Sequence, residues 1–298
     1  GTKEAQSLDG QEKRLLDELV ADFVEAGADL PQDHRTRLEE LSTELAQATQ
    51  KFSENVLDST NAWQKNVLDE SLLEGLPESA KIAARETAKQ KEMDGWVFTL
   101  HAPSIMPIMK YLADDSIRKE FWEASSKIGW EGERDNTDLI RRILKLRQEK
   151  AKILGKKDYA DVVLERRMAG SGARADEFVS DLRDKTADAF GSENDQLIAF
   201  KAGETGRQDE LLEPWEYSYW SEKQMKEKYD FDEEDMRPYL PIDSVLSGMF
   251  SLVTEIFRLR IEERSTSHEG QPANPVESDD REPIDVWHPE VKFYEVFD

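Results

Sequence analysis

The 298-residue sequence predicts a mainly α-helical fold, a helical hairpin and a helical bundle with a few short β-strands. Apolar residues recur at three- and four-residue steps along most of the chain, the spacing that gathers them on one helical face. Charged residues make up 35% of the sequence, enough to coat the solvent faces of long helices. Two-residue alternation, the signature of a strand, is confined to short segments.

The first helix is expected from Gln11 to Ala26, where Leu15, Leu16, Leu19, Val20, Phe23 and Val24 form the apolar stripe. Gly27 stands where a left-handed C-terminal cap is wanted, and Pro31 suits the start of a second helix. There Leu38, Leu41, Leu45, Ala48 and Phe52 make a coiled-coil-like seam, and the short connection predicts an antiparallel hairpin of the two helices. Asn61–Leu68 and Gly95–Leu100 read as extended, the second as a half-buried strand with Trp96, Phe98 and Leu100 on one face. Pro77–Met93 lies between them as a helix. Pro103 and Pro107 punctuate the next apolar segment, and a helix follows from Asp115 to Lys127. Another begins after Asn136 and Thr137, residue types that cap helices, and ends near Gly155. Ala173–Ala202 is read as helical, with Phe178, Leu182, Ala187, Phe190, Leu197 and Phe200 as its apolar contacts. Ile242–Leu259 is apolar on several sides, so a central position is expected. Glu262–Glu282 reads as a mobile polar loop, and Asp285–Asp298 closes on a strand.

A net charge of −25 opposes nucleic acid and anionic membranes, which both call for a positive field. No stretch approaches the roughly 18 apolar residues of a membrane span. The amino terminus carries no charged-then-apolar signal pattern. It also lacks an initiator Met, as an excised or processed piece would. The absence of Cys removes disulfides, thiolate metal sites and Cys nucleophiles together, and a cytoplasmic location is expected.

Four His permit an exhaustive search for a metal helix. His-Glu-x-x-His places two imidazoles on one helical face with a carboxylate to activate water. His34, His101 and His288 have no His four residues on, and His268-Glu269 continues Gly270-Gln271-Pro272, which holds no helix. Gly170-Ser171-Gly172 is a lone turn rather than a phosphate loop, and no Gly-x-Ser-x-Gly elbow occurs. The chain is therefore expected to bind no zinc and to supply no catalytic residue. The aromatic run Trp215, Tyr217, Tyr219 and Trp220 is a candidate lining for a peptide groove; packing between helices is the plainer reading of the same residues.

Seven segments in a fixed order carry a family resemblance. They are FSENVLDSTNAW ending at Trp63, GLPESA from Gly75, LHAPSIMPIMKYL from Leu100, LRQEKAKILGKKDYADVVLERRMA from Leu146, EPWEYSYWSEK from Glu213, RPYLPIDSVLSGMF from Arg237 and VWHPEVKFYEVFD from Val286. Together they resemble the thimet oligopeptidase and oligopeptidase A family of zinc metallopeptidases. Glu216 and Glu290 stand where that pattern has Asp. The resemblance implies residues 1–112 as an N-terminal helical region with a hairpin and a small strand pair. Residues 113–298 would be the first part of the peptidase domain, truncated before the zinc-binding helix. It implies zinc as cofactor of the complete enzyme, short peptides as substrates, and this portion as one wall of a narrow channel, inactive alone. A stand-alone helical peptide-binding or scaffold module is the alternative. The strand Val291–Phe297 would present an open apolar edge, so self-association through it is expected.

Overall fold

The computed structural model describes residues 2–207, 211–270, 274–277 and 279–298. It divides into two compact units, Gly1–Tyr229 and Asp230–Asp298.

The first unit runs α1 (Lys3–Ser7), α2 (Gly10–Glu25), α3 (Gln32–Ala62), β1 (Gln64–Val67), α4 (Glu78–Gln90), β2 (Trp96–Thr99), α5 (Ala102–Tyr111), α6 (Asp115–Ser126), α7 (Thr137–Ile153), α8 (Tyr159–Leu164), α9 (Gly172–Thr205) and α10 (Tyr217–Tyr229). β1 and β2 pair antiparallel, with Gln64 opposite Thr99 and Val67 opposite Trp96. Around this ribbon lies the main core, in which Val67, Leu73, Phe98, Ile108, Leu112 and Phe121 are buried. Trp63 meets Phe121 edge-on with ring centroids 4.8 Å apart. Val97 is as buried as its neighbours, because both α4 and α5 pack on β2. The strand is therefore covered on both faces rather than half-buried. This one core draws on residues from both sides of position 112, so the boundary expected there falls inside the first unit.

Local signals explain several helix ends. Gly27 takes φ +85°, and the N–H of Ala28 reaches the Phe23 carbonyl while that of Gly27 reaches Val24, a Schellman cap. A Cβ at Gly27 would come within 2.6 Å of Leu38 Cδ2. The side chains of Asp114, Asp158 and Ser171 accept backbone N–H bonds at the starts of α6, α8 and α9.

Three further expectations fail in the first unit. The hairpin does not pack as an apolar pair: α2 buries no residue, and Leu15, Leu19, Val20, Phe23 and Val24 are all exposed. The seam of α3 turns to α7 instead, with Leu38, Leu41 and Ala48 buried on one helix and Ile143, Leu146 and Ala151 on the other. Ion pairs run along the same contact, Arg37 Nε to Glu149 at 2.8 Å and Arg142 to Glu44 at 3.2 Å. α2 is held by charge, since Arg166 bonds Glu18, Asp22 and Glu25. Asn136 does not cap α7 with its side chain; it accepts from Asn55 at 2.9 Å and donates to the Phe52 carbonyl, joining α3. The Thr137 N–H is taken by Asp135. Finally, Phe178, Leu182 and Phe190 of α9 are exposed, and the buried part of that helix begins near Leu197.

The second unit contains α11 (Ile242–Phe257), β3 (Arg260–Arg264), β4 (Thr266–Ser267), β5 (Ile284–Asp285) and β6 (Phe293–Phe297). β3 pairs antiparallel with β6, from Arg260 opposite Phe297 to Arg264 opposite Phe293. β4 and β5 pair in parallel. α11 is not central in this unit: it buries no residue, and Ile242, Leu252, Ile256 and Phe257 are exposed. The supposed loop from Glu262 is largely built structure, because Arg264, Ser265 and Thr266 are buried within it. Residues 271–273 and 278 of that stretch lie outside the described residues.

Candidate functional site

α10 packs on α5 and α9, and this fixes where the aromatic run stands. Tyr219 and Trp220 are buried against Leu197, with Phe200 and Leu212 at the margin. The guanidinium of Arg118 lies 4.1 Å from the Tyr219 ring centroid, and Arg118 also donates to the Leu112 and Ala113 carbonyls. Trp215 and Tyr217 sit nearer the solvent. The Trp215 indole N–H bridges both oxygens of Asp115 at 3.1 and 3.2 Å, and its ring lies 5.8 Å from that of Trp122. Tyr217 is 39% exposed. Tyr219 and Trp220 are thus buried, Trp215 is half-buried against Trp122, and Tyr217 is exposed.

A buried ion pair fixes the turn that carries Trp215. Lys201 donates to Glu216 Oε2 at 2.8 Å, and the same oxygen accepts the Glu213 N–H at 2.8 Å. Burial works against the Glu216 charge, but the Lys201 ammonium and the backbone donor outweigh it and hold the carboxyl below its usual range. On a different part of the same unit, a groove of about 470 Å³ has Trp63, Leu100 and Ile128 in its wall and Glu120, Glu123 and Glu131 on its rim.

The second unit has a groove of about 810 Å³ between α11 and the β3–β6 ribbon. Phe250 and Tyr294, 4.7 Å apart by ring centroids, form part of its floor. Lys292 lies 3.5 Å from Glu263 and 3.9 Å from Asp243. Glu263 raises the Lys292 pKa, and burial followed by Glu263 raises that of Tyr294, so both keep their protons at neutral pH. The groove therefore offers two donors beside two carboxylates, a surface suited to polar peptide groups. Sequence reasoning placed Phe250 in a helix and Tyr294 in a closing strand but did not bring them together, because Glu263 was absorbed into a supposed loop. The alternation of Ile261 and Glu263 opposite Val296 and Tyr294 was the signal that could have found them.

Behind the ribbon, Arg264 bonds Asp279 at 2.9 Å and Glu295 at 2.6 Å, and Arg281 bonds the same two carboxylates at 2.7 and 2.6 Å. The Ser265 N–H also donates to Asp279 at 2.7 Å. The Arg281 hydrogen bond, the Ser265 N–H and Arg264 hold the Asp279 carboxyl far below its ordinary range.

His268 and His288 come together, with ring centroids 6.5 Å apart; the Nδ1 of His268 meets the Val286 carbonyl at 3.0 Å. Among the described residues no group of three or more His, Asp, Glu or Cys side chains is arranged to hold a metal ion. These residues do not fit a zinc centre. No single helix among the described residues is long and apolar enough to cross a membrane.

Comparison with known proteins adds the following. The family described as "Peptidase family M3" matches residues 108–298. Oligopeptidase A of Salmonella typhimurium is 34% identical over 297 residues, which is 98% of this chain and 41% of that protein. The organellar oligopeptidase A of Arabidopsis thaliana is 34% identical over 98% of this chain and 36% of its own length. Dipeptidyl carboxypeptidase of Escherichia coli is 27% identical over 99% of this chain and 41% of its own. The chain thus spans about two fifths of the curated relatives it matches.

Proposed function

This chain belongs to peptidase family M3, and from that premise we propose that it forms one wall of the substrate channel of a zinc-dependent oligopeptidase that hydrolyses short peptides. The observation that carries the reading is the family match over residues 108–298, together with oligopeptidase relatives that align along 98% of the chain. In this reading Trp215 and Tyr217 face the peptide, while Tyr219 and Trp220 pack behind them and fix α10. Exposed aromatic faces suit such a wall because they take many side chains without demanding one sequence. The chemistry of zinc, activation of a water for attack on a peptide carbonyl, is supplied by residues outside these 298. The residues here fit no zinc centre, so no hydrolytic step is assigned to them. The cytoplasm is the compartment we propose, and the chain alone is inactive.

The test has two arms. After dialysis the chain is expected to carry no stoichiometric zinc by elemental analysis and to leave a quenched fluorescent peptide uncut. One zinc per chain, or zinc-dependent turnover, overturns the assignment of the chemistry elsewhere. Separately, titration with short unstructured peptides is expected to change the indole emission saturably, and Trp215→Phe to reduce that change. A flat titration removes the channel-wall reading.

A further inference from the structure

Independently of that reading, we propose that the groove of about 470 Å³ between α3 and α6 is a binding site for a free tripeptide. It holds the peptide by both ends, the ammonium at Glu123 and the carboxylate at Arg134.

The groove follows two antiparallel segments. Trp63, just past the end of α3, meets Phe121 of α6, and Lys65 beyond it bonds Glu120. Earlier in α3 the Phe52 carbonyl accepts from Asn136, which comes after α6. Glu120 and Glu123 therefore mark the Trp63 end of the groove, and Arg134, close to Asn136 in sequence, marks the other. Glu120, Glu123, Ala124 and Lys127 stand at three- and four-residue steps, so one face of α6 turns to the groove. Trp63, Leu100, Ala124 and Ile128 give it an apolar floor.

Most charges on the rim are already answered. Lys65 takes Glu120, and Lys127 takes Glu131 at 3.2 Å. Two remain open. Glu123 has only Lys119, at 4.0 Å, and Arg134 is exposed with no ion pair or hydrogen bond among the described residues. A carboxylate open at one end and a guanidinium open at the other complement a zwitterion rather than a simple cation or anion. The guanidinium fork matches a terminal carboxylate through two parallel bonds. Separation sets the length of the ligand. α6 rises about 9 Å from Glu120 to Ser126, and an extended tripeptide spans about 10 Å. The middle side chain then lies on the apolar floor, and apolar residues are preferred there.

Titration of the isotope-labelled chain with the tripeptide Ala-Leu-Ala, followed by NMR, tests the site. Saturable shifts are expected at the Trp63 indole and at the amides of Leu100, Ala124 and Ile128. Acetylating the amine or amidating the carboxylate should each weaken binding by up to about fivefold, the scale of one exposed ion pair. Added salt should weaken binding of the free peptide. Arg134→Gln is expected to erase the difference between acid and amide, and Glu123→Gln that between free and acetylated amine. Both positions are exposed, so the fold is retained. Trp215→Phe is expected to leave this titration unchanged. An unchanged spectrum overturns the proposal, as does an affinity indifferent to both blocking groups or variants that still discriminate both ends. Shifts centred on Trp215 that Trp215→Phe removes would also overturn it, while leaving the channel-wall reading in place.

Discussion

Replacing Lys201 by Met would test the physical account of the α9–α10 contact. Lys201 is 6% exposed and Glu216 8%, with the ammonium 2.8 Å from Oε2. Met keeps most of the side-chain volume and removes the charge, so a buried carboxylate loses its ionic partner. Breaking such a pair costs about 3–5 kcal/mol. Glu216 keeps the Glu213 N–H bond, and its side chain retains 11% exposure, which places the cost near the lower end, about 3 kcal/mol. For a unit of this size that lowers Tm by about 6–12 °C. The sign with pH is distinctive. In the wild-type chain the folded Glu216 pKa is depressed, so its contribution is present above the unfolded value near 4.5 and is lost as pH falls through the folded value. In the variant, burial acts without its ammonium and favours the neutral form, so the penalty should shrink as pH falls toward the unfolded value near 4.5 and be gone below it. Urea unfolding followed by far-UV circular dichroism at neutral and acid pH reads both effects. Adding Glu216→Gln to Lys201→Met should recover most of the loss at neutral pH. A loss under about 0.5 kcal/mol at neutral pH, or one that is the same in acid, would refute the reasoning.

Two further outcomes are expected. Gly75 takes φ +88°, and a Cβ there falls against the Tyr111 carbonyl oxygen, so Gly75→Ala should cost about 1–3 kcal/mol in urea unfolding. Asp279→Asn should speed amide exchange at residues 274–277 and 279–285, which its hydrogen bonds tie to β3. The wild-type carboxyl is held far below its usual range, so its contribution is full at neutral pH and fades only in strong acid. The variant should lose that acid-side dependence in a pH titration of the same exchange rates.

Periodicity placed most helices to within a few residues, because an amphipathic stripe depends only on local spacing. It could not say what each stripe meets. The seam of α3 is a sound seam, but its partner is α7, more than eighty residues away, and the stripe nearest in sequence, on α2, stays mostly exposed. α11 looked central because it is apolar on several sides, which is a statement about composition and not about neighbours. Asn136 carries a capping residue type, yet a buried partner on α3 competes for its amide and wins. Polar composition hid β3: Arg264 is interior only because Asp279 and Glu295 converge on it, and a charge run gives no sign of such convergence. At the candidate site, composition singled out Trp215, Tyr217, Tyr219 and Trp220, but which two would be sheltered depended on the helix phase of α10 against α9. Tyr294 was read as part of a closing strand, but the partners that give it and Lys292 a groove, Glu263 on β3 and Asp243 on α11, were not legible.

The grip of Arg166 on α2 has a consequence for how the first unit breathes. One guanidinium spans Glu18, Asp22 and Glu25, successive turns of a helix that buries no residue. Opening that clasp uncovers little apolar surface, because most of the apolar stripe of α2 is exposed already, so it carries little of the heat-capacity change that marks a melting core. The detachment of α2 is then governed by the ionic atmosphere rather than by temperature. Added salt should loosen this helix while the Phe121 core stays closed, so that one chain has two clocks, one set by ions and the other by heat.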